Sequence, residues 1–571
     1  MKSNAAVEVN FQSSVSSVRY AIATFSFRKY YAAFYSLMFL FCGVSATCFA
    51  APPALAAAPP MGWNDWAHYQ CNYTAQTIIE NARALVKTGL AARGYNTVTI
   101  DDCWMHKSRD SQGDLQADPT RFPSGMKPVA QAVHALGLKF GIYEDAGYDT
   151  CGRFAGSGEP DGGGEDHFVE DAKLFASWGV DYLKLDGCNV FVRKGESKEA
   201  AYRRVYKAES TALRSVDRPI VFSESAPAYF QGNPEWYTVL GWVRDYGQLW
   251  REGSDIQNFE TENPDLPRFS SVLWNYAYNL PLGRFQSPGN WNDPDFVIGG
   301  DRGMTLAETR SQLALWSMMS APLILSSDLD KLSSAAIAIL ENKSILAIDQ
   351  DPLGKMAILV HRTPSIDVLF KPLHDGEFAV AALNRGASEA RIALYPAELG
   401  FPGDSCRFHA RDLWSDAVQA VTPVLQATIA SHDTAIWRIH ASVSCGSPER
   451  TGTITRIDPG AKKNLEGYTF CLAAPGQIES CTGTVAEAWV ITSSGALKSS
   501  GGCLAASDGK AFIQPCSASP EQHWHYALSG NLINASNNQC LTSNVPDAGK
   551  QGLTLEPCGD NLLTQIWSLP N

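Results

Sequence analysis

A rhythm of short apolar runs, each stopping on an acid, constrains this chain more than any other feature. Asn96-Thr-Val-Thr-Ile100 runs into Asp101-Asp102-Cys103-Trp104, and Lys139-Phe-Gly-Ile-Tyr143 runs into Glu144-Asp145. Tyr182-Leu-Lys-Leu185 runs into Asp186-Gly187-Cys188, and Pro219-Ile-Val-Phe222 leads through Ser223 to Glu224. Helical patterns lie between them: Thr74 to Leu90, with Ile78, Ile79, Ala82, Leu85, Val86 and Leu90 three to four apart, and Asp166 to Trp178. They finish near Gly89 or Gly94 and Gly179, as helix C-termini often do. Alternating strands and helices over about 300 residues predict a (β/α)8 TIM barrel over residues 55–355, with its site at the strands' C-terminal ends. A doubly wound open sheet is the alternative, but no GxGxxG follows an early strand.

A single Asp after a strand reads as a turn or helix cap. Several such acids interleaved with Trp63, Trp66, Trp104, Trp250 and Trp291 read as a pocket for a neutral, hydroxyl-rich ligand. Rings cover the C–H face of a sugar while carboxylates accept its hydroxyls. Cleaving such a ligand needs one ionised carboxylate and one that carries a proton to the departing oxygen. Strand alternation puts Lys184 and Asp186 on one face, where an ammonium favours the charged carboxylate, so Asp186 is the nucleophile candidate. Arg251-Glu-Gly-Ser-Asp255 offers the second acid on a loop where burial is expected to raise its pKa.

The first 50 residues carry Lys2, Arg19, Arg28 and Lys29 ahead of an uncharged run from Tyr30 to Ala50, the layout of a secretory signal. A membrane anchor is the rival reading; no later segment is apolar enough to span, so no stable membrane insertion is expected after cleavage. The remainder holds 42 basic against 58 acidic residues, which gives no electrostatic reason to bind nucleic acid. It also holds twelve of the fourteen cysteines, an even number that reads as disulfides in an exported chain. Without a CxxC pair or clustered histidines, no metal is expected.

Six linked motifs then carry a resemblance: Met61-Gly-Trp-Asn-Asp-Trp66, Asp101-Asp-Cys-Trp104, Tyr143-x-Asp-Ala-Gly-Tyr-x-Thr-Cys151, Tyr182-Leu-Lys-x-Asp-Gly-Cys188, Trp250-Arg-(x)3-Asp255 and Pro288-Gly-x-Trp-Asn-Asp-Pro-Asp295. In this order they resemble glycoside hydrolase family 27, the α-galactosidase and α-N-acetylgalactosaminidase family. The resemblance implies retaining hydrolysis of terminal α-galactosyl bonds without metal or cofactor. It makes Asp186 the nucleophile and Asp255 the acid/base, with Trp66, Asp101, Asp102, Tyr143, Lys184, Arg251 and Asp295 at sugar-binding positions. It also implies disulfides Cys71–Cys103 and Cys151–Cys188. Phe296 departs from the family's usual Met. Aligned on Pro227 and Tyr229, Ser225 and Ala228 match the acetamido-sugar type, while Glu224 offers a bond to a free 2-hydroxyl instead. Galactose leads on the family's usual activity; β-L-arabinopyranose is a further alternative, and a secreted carbohydrate-binding protein the non-enzyme one.

Past Gln350 the helical pattern stops, and short alternating runs over residues 356–445 predict an antiparallel β-sandwich in which Cys406 and Cys445 can pair. Residues 446–466 read as a linker or the first strands of the next unit. An internal repeat follows: Cys471-Leu, Cys481 and Trp489; Cys503-Leu, Cys516 and Trp524; Cys540-Leu, Cys558 and Trp567. Gln522-His-Trp524 and Gln565-Ile-Trp567 share a Q-x-W signature from which Glu487-Ala-Trp489 departs. Residues 467–571 resemble a ricin-type lectin β-trefoil, which implies bridges Cys471–Cys481, Cys503–Cys516 and Cys540–Cys558 and a polysaccharide-binding module. Where binding repeats of that type carry Asp, this chain has Ala473, Ala505 and Thr542, so a stabilising appendage is the competing reading.

Overall fold

The structure is a computed structural model that describes residues 55–233, 235–256, 268–457, 469–543, 551–559 and 563–570. The expected signal segment lies outside these residues. No helix among the described residues is long and apolar enough to cross a membrane.

Eight parallel strands form the first sheet: β1 (Met61–Asn64), β2 (Thr97–Ile100), β3 (Lys139–Asp145), β4 (Tyr182–Asp186), β5 (Val221–Glu224), β6 (Leu249–Arg251), β7 (Trp291–Asp293) and β8 (Leu323–Leu325). Their order is β7-β6-β5-β4-β3-β2-β1-β8. Just past β7, Val297 bridges Leu325 of β8 in parallel, with Val297 N donating to Ile324 O at 2.8 Å, so the sheet curls into a barrel. The runs become strands because both faces are covered: Val98, Ile100, Phe140, Ile142, Leu183 and Leu185 are all fully buried.

The expected helices are shorter than their apolar patterns. Helix α1 spans Ala75–Lys87 and begins at the Thr74 cap, whose reciprocal bonding with Thr77 starts it. Helix α2 spans Phe168–Trp178 and stops at Gly179, whose φ of 90° suits a left-handed C-terminal cap. Helices α3 (Phe269–Asn279) and α4 (Leu306–Met319) follow β6 and β7.

After the barrel, strands β9 (Ile358–Arg362), β10 (Ile366–Pro372), β11 (Phe378–Asn384), β12 (Ala390–Leu394), β13 (Phe408–Asp412), β14 (Val418–Thr422), β15 (Leu425–Ile429) and β16 (Thr434–Ala441) form a six-stranded antiparallel sheet, order β14-β13-β16-β11-β10-β9, and a two-stranded one, β12-β15. Phe370, Phe401, Phe408 and Trp437 fill the space between them. Cys406 and Cys445 are disulfide-bonded there.

The last strands make a third core around Trp489, Trp524 and Trp567. Each indole Nε1 donates to the carbonyl of its repeat's Cys-Leu leucine: Leu472 at 2.7 Å, Leu504 at 2.9 Å and Leu541 at 2.9 Å. Arg450–Thr453 pairs with Ala488–Ile491, and Thr455–Ile457 with Thr469–Ala473, so this part of the stretch expected as linker or strand is strand. Residues 458–468 lie outside the described residues. The bridges Cys471–Cys481, Cys503–Cys516 and Cys540–Cys558 are present.

Candidate active site

At the C-terminal ends of the barrel strands lies a cavity of about 550 Å³, lined by Trp66, Asp101, Asp102, Tyr143, Cys151, Lys184, Asp186, Cys188, Ser225, Ala228, Tyr229, Arg251, Gly253, Ser254 and Asp255. Its size is that of a small-molecule site. Of the side chains singled out from sequence, Trp66, Asp101, Asp102, Tyr143, Lys184, Asp186, Ser225, Ala228, Arg251 and Asp255 lie on its wall; Asp295 and Glu224 do not, and Trp63, Trp104, Trp250 and Trp291, expected to face the ligand, are buried in the barrel's packing instead.

Asp186 ends β4. Its Oδ1 accepts from the Tyr229 hydroxyl at 2.5 Å and from Gly187 N at 2.9 Å, and its Oδ2 accepts from the Tyr143 hydroxyl at 3.2 Å. Burial pushes this carboxyl up, the nearby Asp255 charge adds to that, and Lys184, Tyr229 and Gly187 pull it back. The ammonium of Lys184 reaches Asp101 Oδ2 at 2.6 Å; its effect on Asp186 is therefore that of a neighbouring charge without a direct bond. The same Nζ stands 5.4 Å from the Tyr143 ring centre and 5.0 Å from that of Phe296, so Phe296 covers the lysine on the pocket's inner side.

The acid pair after β2 is held from both sides. Asp101 Oδ2 accepts from Asn64 Nδ2 at 2.8 Å as well as from Lys184, and its backbone N donates to Asp65 Oδ1 at 2.8 Å. Asp102 takes backbone amides on both oxygens, from Cys103 at 2.6 Å and Gly152 at 2.8 Å. Only a glycine lets that loop come so near: a Cβ on Gly152 would stand 3.0 Å from Asp102 Oδ2. Burial pushes Asp102 up to about 6. Cys71–Cys103 ties this loop to α1's approach, and Cys151–Cys188 lies beside Asp186, with Cys188 Sγ 3.0 Å from the Tyr229 hydroxyl.

Three expectations are corrected. Asp255 is not buried: its side chain is 51% exposed and ion-paired with Arg251 Nη2 at 2.9 Å, because its loop faces the cavity mouth. Asp295 does not line the cavity; it sits behind Arg251, 3% exposed, with Oδ1 at 3.1 Å from Nη1 and Oδ2 accepting from Ile256 N at 2.6 Å. Burial pushes Asp295 up to about 6. Glu224 is fully buried and faces Gly247, where an added Cβ would meet its Oε1 at 2.3 Å. It pairs across the sheet with Leu185, on the opposite face from Lys184 and Ser223. Ser225 and Ala228 occupy the cavity wall instead.

Tyr229, Gly253 and Ser254 on the wall were not singled out from sequence as ligand-facing, although Tyr229 served to align the loop; no local pattern marks them. Among the described residues two clusters, Asp145/Cys151/Asp186/Cys188 and Cys471/Cys481/Glu487, are compact enough to hold an ion, but their cysteines are disulfide-bonded and offer no thiolate.

Comparisons with known proteins agree with this architecture. Residues 58–351 match the alpha galactosidase A family, 363–439 the alpha galactosidase C-terminal beta sandwich domain, and 465–567 the ricin-type beta-trefoil lectin domain. Alpha-galactosidase A of Aspergillus niger is 38% identical over 502 residues, 86% of this chain and 89% of that protein. Alpha-galactosidase of Oryza sativa is 38% identical over 66% of this chain and 84% of its own length. The crystal structure of alpha-galactosidase I from Mortierella vinacea superposes with a TM-score of 0.60 at 30% identity, covering 68% of this chain and 98% of that one. With half of its length matched by one family and relatives this similar across most of both chains, this protein belongs to the alpha galactosidase A (melibiase) family.

Proposed function

We propose that this protein is a retaining α-galactosidase that removes terminal α-D-galactosyl residues from galacto-oligosaccharides, galactomannans or glycoconjugates. Asp186 Oδ attacks the anomeric carbon as the bond to the departing oxygen breaks, and Asp255 gives that oxygen its proton. Water then attacks the glycosyl-enzyme, Asp255 takes the water's proton, and Asp186 leaves as a carboxylate. The observation that carries this reading is two carboxylates of different setting on one cavity wall, Asp186 enclosed by hydrogen-bond donors and Asp255 half exposed beside Arg251. A bound sugar would cover Asp255 and bring its 2-hydroxyl within reach of Arg251. Asp101 and Asp102 would accept from the remote hydroxyls, and Trp66 would cover an apolar face of the ring. Six disulfides support secretion to an oxidising compartment, extracellular or periplasmic, for this enzyme.

A second reading has a specific observation behind it. Ser225 and Ala228 are small and line the cavity, while Glu224 points away, an arrangement with room for a 2-acetamido group. The test is kcat/KM on p-nitrophenyl α-galactoside, α-N-acetylgalactosaminide and β-L-arabinopyranoside. The galactosidase reading expects the first to lead by about tenfold or more, a difference of about 1.4 kcal/mol. A lead for the acetamido sugar would transfer the assignment to an N-acetylgalactosaminidase.

A further inference from the structure

The half-exposed Asp255 sits on a loop whose neighbours are bonded one after another. Arg251 Nη2 donates to Gly253 O at 3.0 Å, and Asn275 Nδ2 donates to Ser254 O at 3.0 Å. Ile256 N donates to Asp295 Oδ2 at 2.6 Å. Gln231, from the turn after β5, accepts from both Ser254 donors on one oxygen, the backbone N at 3.0 Å and Oγ at 2.7 Å. Gly253 makes room for it: a Cβ there would stand 2.1 Å from Gln231 Nε2. The Asp255 carboxylate is half exposed and held directly by Arg251 alone, Nη2 to Oδ1 at 2.9 Å, so the rest of its aim depends on the backbone beneath it.

We infer that Gln231 is a positioning residue for Asp255: its amide oxygen fixes Ser254 and thereby aims the adjacent carboxylate at the leaving-group oxygen. It lies outside the cavity wall and acts only through the loop. The inference rests on Asp255 being the acid/base, and the experiment separates the two.

The measurement compares kcat/KM on p-nitrophenyl and methyl α-galactosides for the full chain and for Gln231→Ala, Gln231→Glu and Asp255→Ala. A good leaving group departs with little proton assistance, whereas methanol needs it, and positioned acid catalysis is worth about 10²–10⁴-fold. Asp255→Ala should lose far more on the methyl glycoside than on the nitrophenyl one. Gln231→Ala should show the same selectivity in smaller measure, about 10-fold more loss on the methyl substrate, with inhibition by galactose unchanged. Gln231→Glu keeps an oxygen acceptor for Ser254 and should restore the wild-type substrate ratio. Azide should speed turnover of the nitrophenyl substrate by Gln231→Ala, as it does where a base is missing or misplaced.

If Asp255→Ala is selective and Gln231→Ala loses equally on both substrates, or on neither, the inference on Gln231 is overturned alone. If Asp255→Ala is unselective, the acid/base reading fails and takes the inference with it. Should Gln231→Ala not fold, Gly253→Ala displaces the same amide without deleting it, and the same substrate ratio decides.

Discussion

Asp102 and Asp295 share a predicament that sets a pH signature. Each is nearly inaccessible to water, and burial pushes each up to about 6, from an ordinary value near 4. Asp65, Glu144, Asp145, Glu209, Glu224 and Glu252 are raised by the same cause. A carboxyl raised on folding binds more protons folded than unfolded across that interval, so stability falls as pH rises through it. The opposite sign belongs to Asp301, Asp351 and Asp367, lowered by His68, His374 and Arg362 against the cost of burial, and their contribution is lost only below about pH 4. Thermal midpoints should therefore be higher near pH 4.5–5 than near pH 7, each two-unit shift being worth about 2–3 kcal/mol. A midpoint that climbs steadily from pH 4 to pH 7 would contradict this assignment of charge states.

At the scale of elements, the strand-and-acid rhythm was readable because parallel strands buried on both faces must be apolar and must end where side chains meet at one rim. Asp101, Tyr143, Lys184 and Asp186 follow from that rule together with the family motifs. Alternation along β5 also placed Glu224 off the Lys184 face, a signal present in the sequence but outweighed by the attraction of an acid at a strand end. Gln231 was not readable: its partner lies 23 residues away on another loop, and no local pattern links them. The exposure of Asp255 was missed for the same reason, since burial of a loop residue depends on what stands across from it.

The trefoil offers a cleaner case. Gln522 donates to Pro515 O at 2.9 Å and accepts from Ser517 N at 2.6 Å, and Gln565 does the same with Pro557 O at 3.1 Å and Gly559 N at 3.0 Å. Glu487 cannot donate, and instead accepts from Thr482 N, Thr482 Oγ1 and Gly483 N at 2.9, 2.6 and 2.9 Å. The broken Q-x-W signature is thus a working replacement. Glu487→Leu removes this buried acceptor, but Thr482 is exposed and Gly483 half-buried, so water can take over part of the bonding; the trefoil should lose about 1 kcal/mol, with Glu487→Gln costing less. Denaturation followed by tryptophan fluorescence measures both; equal midpoints for the two variants would show that the acceptor is dispensable.

Across the whole molecule, polar contacts link the three cores, buried between barrel and sandwich and exposed between barrel and trefoil. Lys371 of the sandwich is fully buried, and its ammonium donates to Ser317 O and Ser320 Oγ at the C-terminal end of α4, at 2.8 and 2.7 Å, and to Ile348 O near the end of the helix Lys343–Asp349, at 2.7 Å, where carbonyls await partners. Arg284, after α3, donates to Leu528 O of the trefoil at 2.7 Å and lies over the Tyr526 ring. The trefoil's Ala473, Ala505 and Thr542 are each 1% exposed and carry no carboxylate, whereas Asp186 and Asp255 line the barrel cavity. The chemistry therefore centres on the barrel cavity and on Asp186. Its most direct test is covalent trapping with a slow fluorinated α-galactosyl substrate, followed by peptide mass mapping. The account predicts one hexosyl adduct per chain, on Asp186, absent from Asp186→Asn. An adduct on another residue, or labelling that persists in Asp186→Asn, would contradict it.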